Sequence, residues 1–164
     1  MIVKDSMVLI HLAKITLLEK SCKYFKKTII PKRVFDEVTK CKEKNFVDIK
    51  IIVDLVERNE IKVIEIKNQK NLEKIKEFNI QGGEAEAVDL YWQENADYLA
   101  TDDDNVRKKN LLLNIKLIGT PVIILKLYEK KIIDKNKFVE SINKLKKIGW
   151  FNHMILDKIL MEAK

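Results

Sequence analysis

Glycine, proline, cysteine and histidine are all scarce in this chain: four, two, two and two residues in 164. Cys22 and Cys41 form no CxxC and lie too far apart for a zinc pattern, so free thiols in a reducing cytosol are expected. Cys41, between Lys40 and Lys42, is expected to be exposed. His11 and His153 stand alone, with no HExxH and no Ser or Cys nucleophile motif around them. No Gly-rich phosphate loop is present. Long apolar runs are missing too. The uncharged stretch Leu117 to Leu125 falls well short of the ~18 residues that a membrane helix needs. Asp5 interrupts the N-terminal apolar run, and no cleavage-site pattern follows it. A cytoplasmic protein without a membrane segment is expected. Any chemistry must therefore rest on carboxylates.

Charge is plentiful. Lys and Arg number 32 against 25 Asp and Glu, a formal net charge of +7. A basic domain suits a polyanionic partner, although Lys-rich composition also arises for other reasons. Hydrophobic residues make up 46% of the chain, enough for one substantial core. A single domain over 1–164 is expected, with a core of about residues 1–130 and a helical appendage over about 131–164.

Apolar spacing predicts a strand at Ile2-Val3, a helix from Met7 to Leu18, and a strand at Thr28–Ile30. Pro31 suits the first turn of a helix continuing over Arg33 to Lys42. Asn45 to Arg58 is amphipathic, Ile61 to Ile66 reads as a strand, and Asn71 to Phe78 as a charged helix ended by Gly82-Gly83. A helix over Glu84 to Glu94, a strand over Tyr98 to Thr101, a basic helix from Val106 and a strand over Ile115 to Ile118 follow. Thr120-Pro121 opens a helix to Tyr128, and two last helices cover Lys135 to Ile148 and Phe151 to Ala163. Strands alternating with helices predict an α/β fold, a parallel sheet with helices on both faces.

In such sheets, ligand sites form where strands end and helices begin. Asp5 follows the first predicted strand. Asp102 and Asp103 follow the strand at Tyr98, Glu84 opens a helix, and Glu37 lies one turn into the helix after Pro31. Gathered carboxylates repel one another unless a divalent cation neutralises them. Hard oxygen ligands suit Mg²⁺ or Mn²⁺, and phosphodiester hydrolysis is the natural use of an all-carboxylate site. Each acid also has a structural reading. Asp5-Ser6 is a helix cap, Glu84 complements a helix dipole, Asp103 or Asp104 caps the next helix, and Glu37 is a solvated surface acid. Trp92 and Trp150 read as packing residues rather than base-stacking platforms.

Five blocks in order resemble the PIN domain family. Ile2-Val3-Lys4-Asp5-Ser6 resembles its opening strand and Asp, and Ile30-Pro31-Lys32-Arg33-Val34-Phe35-Asp36-Glu37-Val38 its second block. Gly83-Glu84-Ala85-Glu86-Ala87-Val88 is similar to a GEAEAI block, and Thr101-Asp102-Asp103-Asp104-Asn105-Val106-Arg107 to a TDDxxAR block. Gly119-Thr120-Pro121-Val122 resembles the GTxG-type helix opening of a subgroup related to the VapC toxins, with Val122 at the second Gly. The resemblance implies a PIN-like three-layer α/β/α sandwich with a small parallel sheet and extra C-terminal helices. It also implies a metal-dependent endoribonuclease using Mg²⁺ or Mn²⁺ held by Asp5, Glu37, Glu84 and Asp102, with Asp103 completing the cluster or holding a second ion. Ser6 and Thr101 would orient the carboxylates. Glu86 is a weaker substitute for Glu84.

Lys32, Arg33, Arg107, Lys108 and Lys109 flank these acids, and Arg33, Arg107 and Lys108 are candidates for holding RNA phosphates. The resemblance further implies the toxin of a toxin–antitoxin pair, with RNA as substrate, a small antitoxin as partner and a homodimer formed through the C-terminal helices. An RNA-processing nuclease and a non-catalytic module binding RNA or protein are the alternatives.

Overall fold

A computed structural model describes residues 1–40, 46–67 and 69–162. Five short strands form one parallel sheet: β1 (Ile2–Lys4), β2 (Thr28–Pro31), β3 (Ile61–Ile64), β4 (Tyr98–Ala100) and β5 (Leu117–Ile118), in the order β3-β2-β1-β4-β5. The chain builds outward from β1 to β2 and β3, then crosses back to place β4 on the other side of β1. The β1/β4 boundary is therefore the topological switch point, where a parallel sheet opens a crevice at its carboxyl edge. Ile2↔Tyr98, Val3↔Leu99 and Lys4↔Ala100 set the register there.

Alternation along the strands divides the core in two. Ile2, Ile30, Ala100 and Ile118 face one apolar cluster, and Val3, Ile29 and Leu99 face the other. The first cluster is completed by α1 (Ser6–Lys14), α2 (Leu18–Phe25), α3 (Lys32–Lys40), α4 (Phe46–Glu57), α8 (Thr120–Glu129), α9 (Lys135–Ile148) and α10 (His153–Glu162). The second is closed by α5 (Gln69–Glu77), α6 (Gly82–Gln93) and α7 (Asp104–Lys108). The result is the three-layer α/β/α sandwich. Phe138, Ile142 and Leu145 of α9 and Leu156 and Ile159 of α10 join the same cluster as Leu9 and Leu12 of α1, so the last two helices are packed into the core. Among the described residues, no helix is long and apolar enough to cross a membrane.

Several boundaries differ from the sequence expectation; β3 ends at Ile64 instead of Ile66, α7 starts at Asp104 instead of Val106, and α10 starts at His153 instead of Phe151. The single helix over Met7 to Leu18 is two. Thr16 takes a left-handed φ of 61°, its N–H bonds Ala13 O at 2.9 Å, and Leu17 N bonds Leu12 O at 2.8 Å. This is a Schellman end built without glycine. Pro31 ends β2, paired with Ile64, instead of opening α3. Gly82-Gly83 opens α6 instead of closing α5, with Gly82 at φ +64° after an extended Gln81. The strand expected to start at Ile115 begins at Leu117.

Asparagine explains how so few glycines suffice. Asn59, Asn79, Asn95 and Asn114 all hold left-handed conformations, and Asn tolerates that region better than other side chains because its amide bonds locally. The expected helix ends at Lys42 and Ala163, the expected start at Asn45 and the expected exposure of Cys41 lie outside the described residues. Cys22 is a buried free thiol.

Candidate functional site

Asp5 sits where β1 turns into α1. Its backbone N–H continues the sheet by donating to Ala100 O at 3.0 Å. Its Oδ1 accepts the Val8 N–H at 2.8 Å, capping α1. The cap reading and the site reading are therefore compatible, because one oxygen serves the helix and leaves the other. That other oxygen, Oδ2, is buried with no hydrogen-bond partner. A buried unpaired carboxylate oxygen is costly. The carboxyl responds by resisting ionisation. Burial pushes its pKa from 3.8 up to about 7; the nearby Thr101 hydroxyl and the Val8 N–H oppose the rise, and the charges of Asp102 and Glu84 add to it.

Asp102 follows β4, next to β1. Its side chain is only 2% exposed and fully engaged. His11 Nδ1–H donates to Oδ2 at 2.8 Å, Thr120 N–H donates to Oδ1 at 2.8 Å, and the Thr120 hydroxyl donates to Oδ2. His11 itself is buried, its ring centroid 5.1 Å from that of Phe151. Asp103 caps α7, its Oδ1 accepting Val106 N–H at 2.8 Å, and its own N–H donates to Thr101 Oγ1 at 3.0 Å. Thr101 is buried between these acids, and Ser6 opens α1 beside Asp5.

The helical acids come from the opposite flank. Glu37 Oε1 accepts Gly83 N–H at 2.9 Å, tying α3 to the start of α6, and Arg33 Nε approaches the same oxygen at 3.3 Å. A Cβ on Gly83 would overlap Glu37 Oε2, so the glycine is what permits this approach. Half-buried Glu84 is pushed upward by burial and by the charges of Asp103 and Glu37. Asp5, Asp102, Asp103, Glu84 and Glu37 thus form one electrostatically linked row along the carboxyl edge. The row is open rather than condensed: among the described residues, no three His, Cys, Asp or Glu side chains are grouped tightly enough to enclose an ion by themselves. Glu86 is held up by burial and by the charges of Glu37 and Asp89, with Arg33 opposing the rise.

The basic candidates divide. Arg33 pairs with Glu37, and Lys32 with Asp36 at 3.7 Å. Lys109 is bound to Phe78 O and Asn105 Oδ1. Arg107 and Lys108 are exposed and make no ion pair among the described residues. A Cβ on Gly119 would stand 2.8 Å from Arg107 Nη1 and 3.2 Å from Asp102 Oδ1, so guanidinium and carboxylate converge over that glycine. Beside them opens a cavity of about 310 Å³ lined by Asp102, Arg107, Trp150 and Phe151, among others.

Sequence reasoning missed His11 and Thr120 as parts of the site. His11 had one available signal, a lone polar ring inside the apolar run Met7 to Ala13. Thr120 had only its place after Gly119. Trp92 packs as expected, donating Nε1–H to Leu113 O at 3.1 Å. Trp150 does not pack: its 102% exposure puts the whole indole in solvent. It sits between two helices, where amphipathic periodicity says nothing about burial.

No curated protein and no solved structure matches the chain. The sequence profile of one family, described as a PIN domain, matches residues 1–164, the whole length. PIN domains are generally nucleases that work on nucleic acid with divalent metals. With a five-stranded parallel sheet, helices on both faces and acids along its carboxyl edge, the chain belongs to the PIN domain family.

Proposed function

We propose that this protein is a metal-dependent endoribonuclease that acts in the cytoplasm. The observation that carries the reading is Asp5 Oδ2, a buried oxygen left without a partner at the switch point, on a carboxyl that feels the charges of Asp102 and Glu84. A fold that only needed a helix cap would not retain that cost. Mg²⁺ or Mn²⁺ fits the donor set, since hard cations of this kind take one or two carboxylates and fill the remainder with water and phosphate oxygens. An open row of acids meets that demand better than a closed cage does.

Asp5 would be the central ligand, with Glu84 and Asp103 within the same electrostatic field and Glu37 at the outer end. Bound there, the metal would supply a polarised water and a counter-charge for the phosphodiester transition state. Asp102, clamped by His11 and Thr120, would act chiefly by position. Thr101 and Ser6 would orient the carboxylates, and Arg107 and Lys108 would hold RNA phosphates near the metal. Arg33 would steady Glu37.

The finer role proposed is that of a toxin restrained by a small antitoxin, with a second copy of the chain as a further partner. Met154 and Met161, seven residues apart on α10 and both strongly exposed, supply apolar area for such a contact. Growth arrest on expression alone, relieved by a neighbouring small gene, supports that role; unimpeded growth of cells making active nuclease favours RNA processing.

The deciding experiment is cleavage of a mixed RNA pool with Mg²⁺ or Mn²⁺ by the wild type and by Asp5→Asn. Metal-dependent cutting that chelation abolishes and Asp5→Asn lacks is expected. The full engagement of Asp102 favours a second reading, a non-catalytic RNA-binding module. No cutting and no metal binding by the wild type would establish that reading instead.

A further inference from the structure

The cavity beside Asp102 is walled by more than acids. Arg107 and Asp104 come from α7, Gly119 precedes α8, and Trp150 and Asn152 come from the link between α9 and α10. Among the described residues, Trp150 is the one large aromatic held wholly in solvent, at 102% exposure. Exposing an indole gives the fold nothing, since its stabilisation comes from burial.

The backbone that carries it is nevertheless fixed. Gly149 N–H bonds Leu145 O at 3.1 Å, closing α9. Phe151 passes so near Gly149 that any Cβ there would overlap its ring, and it packs against His11. On the far side, Asn152 O accepts the N–H groups of Ile155 and Leu156, and Asn152 Oδ1 accepts that of Met154 at 2.9 Å. The backbone on both sides of the indole is thus tied down. It is linked through Phe151 and His11 to Asp102.

We infer that Trp150 is the stacking platform for one base of a single-stranded nucleic acid, at the pocket that Asp102 helps to line, where Arg107 takes the adjoining phosphate. The assignment rests on the nuclease reading for its orientation, because Asp102 lines the same cavity. The chemistry selects this occupant. A planar ring stacks on an indole whatever its sequence, its edge can donate to the Asp104 carboxylate, and its phosphate matches a guanidinium that makes no ion pair among the described residues. An apolar helix from another protein would bury Asp104 and Arg107 unpaired. The net charge of +7 favours the polyanion. In a duplex the bases are stacked on one another and out of reach, so the site reads unpaired strands.

The test is binding of a fluorescein-labelled RNA oligonucleotide without secondary structure, measured by anisotropy in EDTA so that no cutting occurs. Trp150→Leu should weaken binding by about 5- to 100-fold, the range for losing one base–aromatic stack. Trp150→Tyr should recover most of it, and affinity for a duplex of the same sequence should not change. Tryptophan quenching by the oligonucleotide should disappear in Trp150→Leu. Unaltered melting is expected for both variants, since the side chain touches solvent. Equal single-strand affinity in wild type and Trp150→Leu overturns the inference. So does a Trp150→Leu protein whose oligomeric mass changes while RNA affinity does not, which would make this a protein-docking residue. Failure of the nuclease reading is separable: if Trp150→Leu loses binding while the wild type cuts nothing with metal, the platform stands and the catalysis does not.

Discussion

Metal-free Asp5→Asn should be more stable than the wild type above neutral pH and equal to it in acid. Burial raises the Asp5 pKa from 3.8 to about 7, so the folded protein holds this proton more tightly than the unfolded chain does. Stability is then undiminished near pH 4, declines as the pH rises, and bears the full cost of an ionised buried carboxylate above about 7. At ~1.36 kcal/mol per pH unit, the rise amounts to about 4 kcal/mol. Asn is neutral at every pH and still caps α1 by accepting the Val8 N–H, since Asn and Asp are equivalent caps. Urea unfolding in EDTA from about pH 3.5 to about 8.5, which spans both values, should show the two proteins converging at the acid end. Asp5→Asn should lead by about 2–4 kcal/mol at the alkaline end. Glu84, also raised but half-exposed, titrates in both proteins and largely cancels in the difference. Added Mn²⁺ should stabilise the wild type and leave Asp5→Asn unmoved. A difference that stays flat with pH, or Asp5→Asn weaker at pH 8, would refute the argument that an uncompensated carboxylate is stored here.

Three further perturbations follow from the geometry. His11→Ala removes a donor from the buried Asp102 and a ring from Phe151. A loss of about 2–3 kcal/mol in unfolding free energy is expected, with reduced cleavage, and an unchanged melting curve would contradict it. Gly83→Ala places a Cβ against Glu37 Oε2 and 3.0 Å from Val34 Cγ2. The flexible end of Glu37 should yield, so cleavage should fall sharply while stability drops by only about 1–2 kcal/mol; full activity would show that Glu37 placement does not matter. Arg107→Ala combined with Lys108→Ala should flatten the salt dependence of single-stranded RNA binding by about 0.7 in log–log slope per lost phosphate contact. An identical slope would remove both residues from the interface.

Periodicity was informative where burial follows a simple rule. The helix over Lys135–Ile148 matches the expected range end to end, because four buried positions recur at helical spacing against one core. The strands at Thr28 and Tyr98 were legible because β-branched and apolar residues cluster there. Periodicity failed at Thr16, where a continuous apolar run hides a left-handed turn, and at Gly82, where a glycine pair signals a break but not which helix it bounds. The acids at strand ends could be named from topology alone, since a parallel sheet must open at its carboxyl edge. What each acid does with its two oxygens could not.

The sequence by itself determined the class of this protein. Alternating strand and helix patterns with one carboxylate at each critical turn are local signals, written within a few residues of one another, and they carry the PIN resemblance. Only the tertiary structure decided the state of each group. His11 and Asp102 are 91 residues apart in the chain and 2.8 Å apart in space, and Trp150 stands in solvent beside them. Burial, hydrogen-bond partnership and electrostatic coupling depend on which distant segments meet. That is why Asp5 is left with one unpaired oxygen while Asp102 is fully engaged, although both follow neighbouring strands.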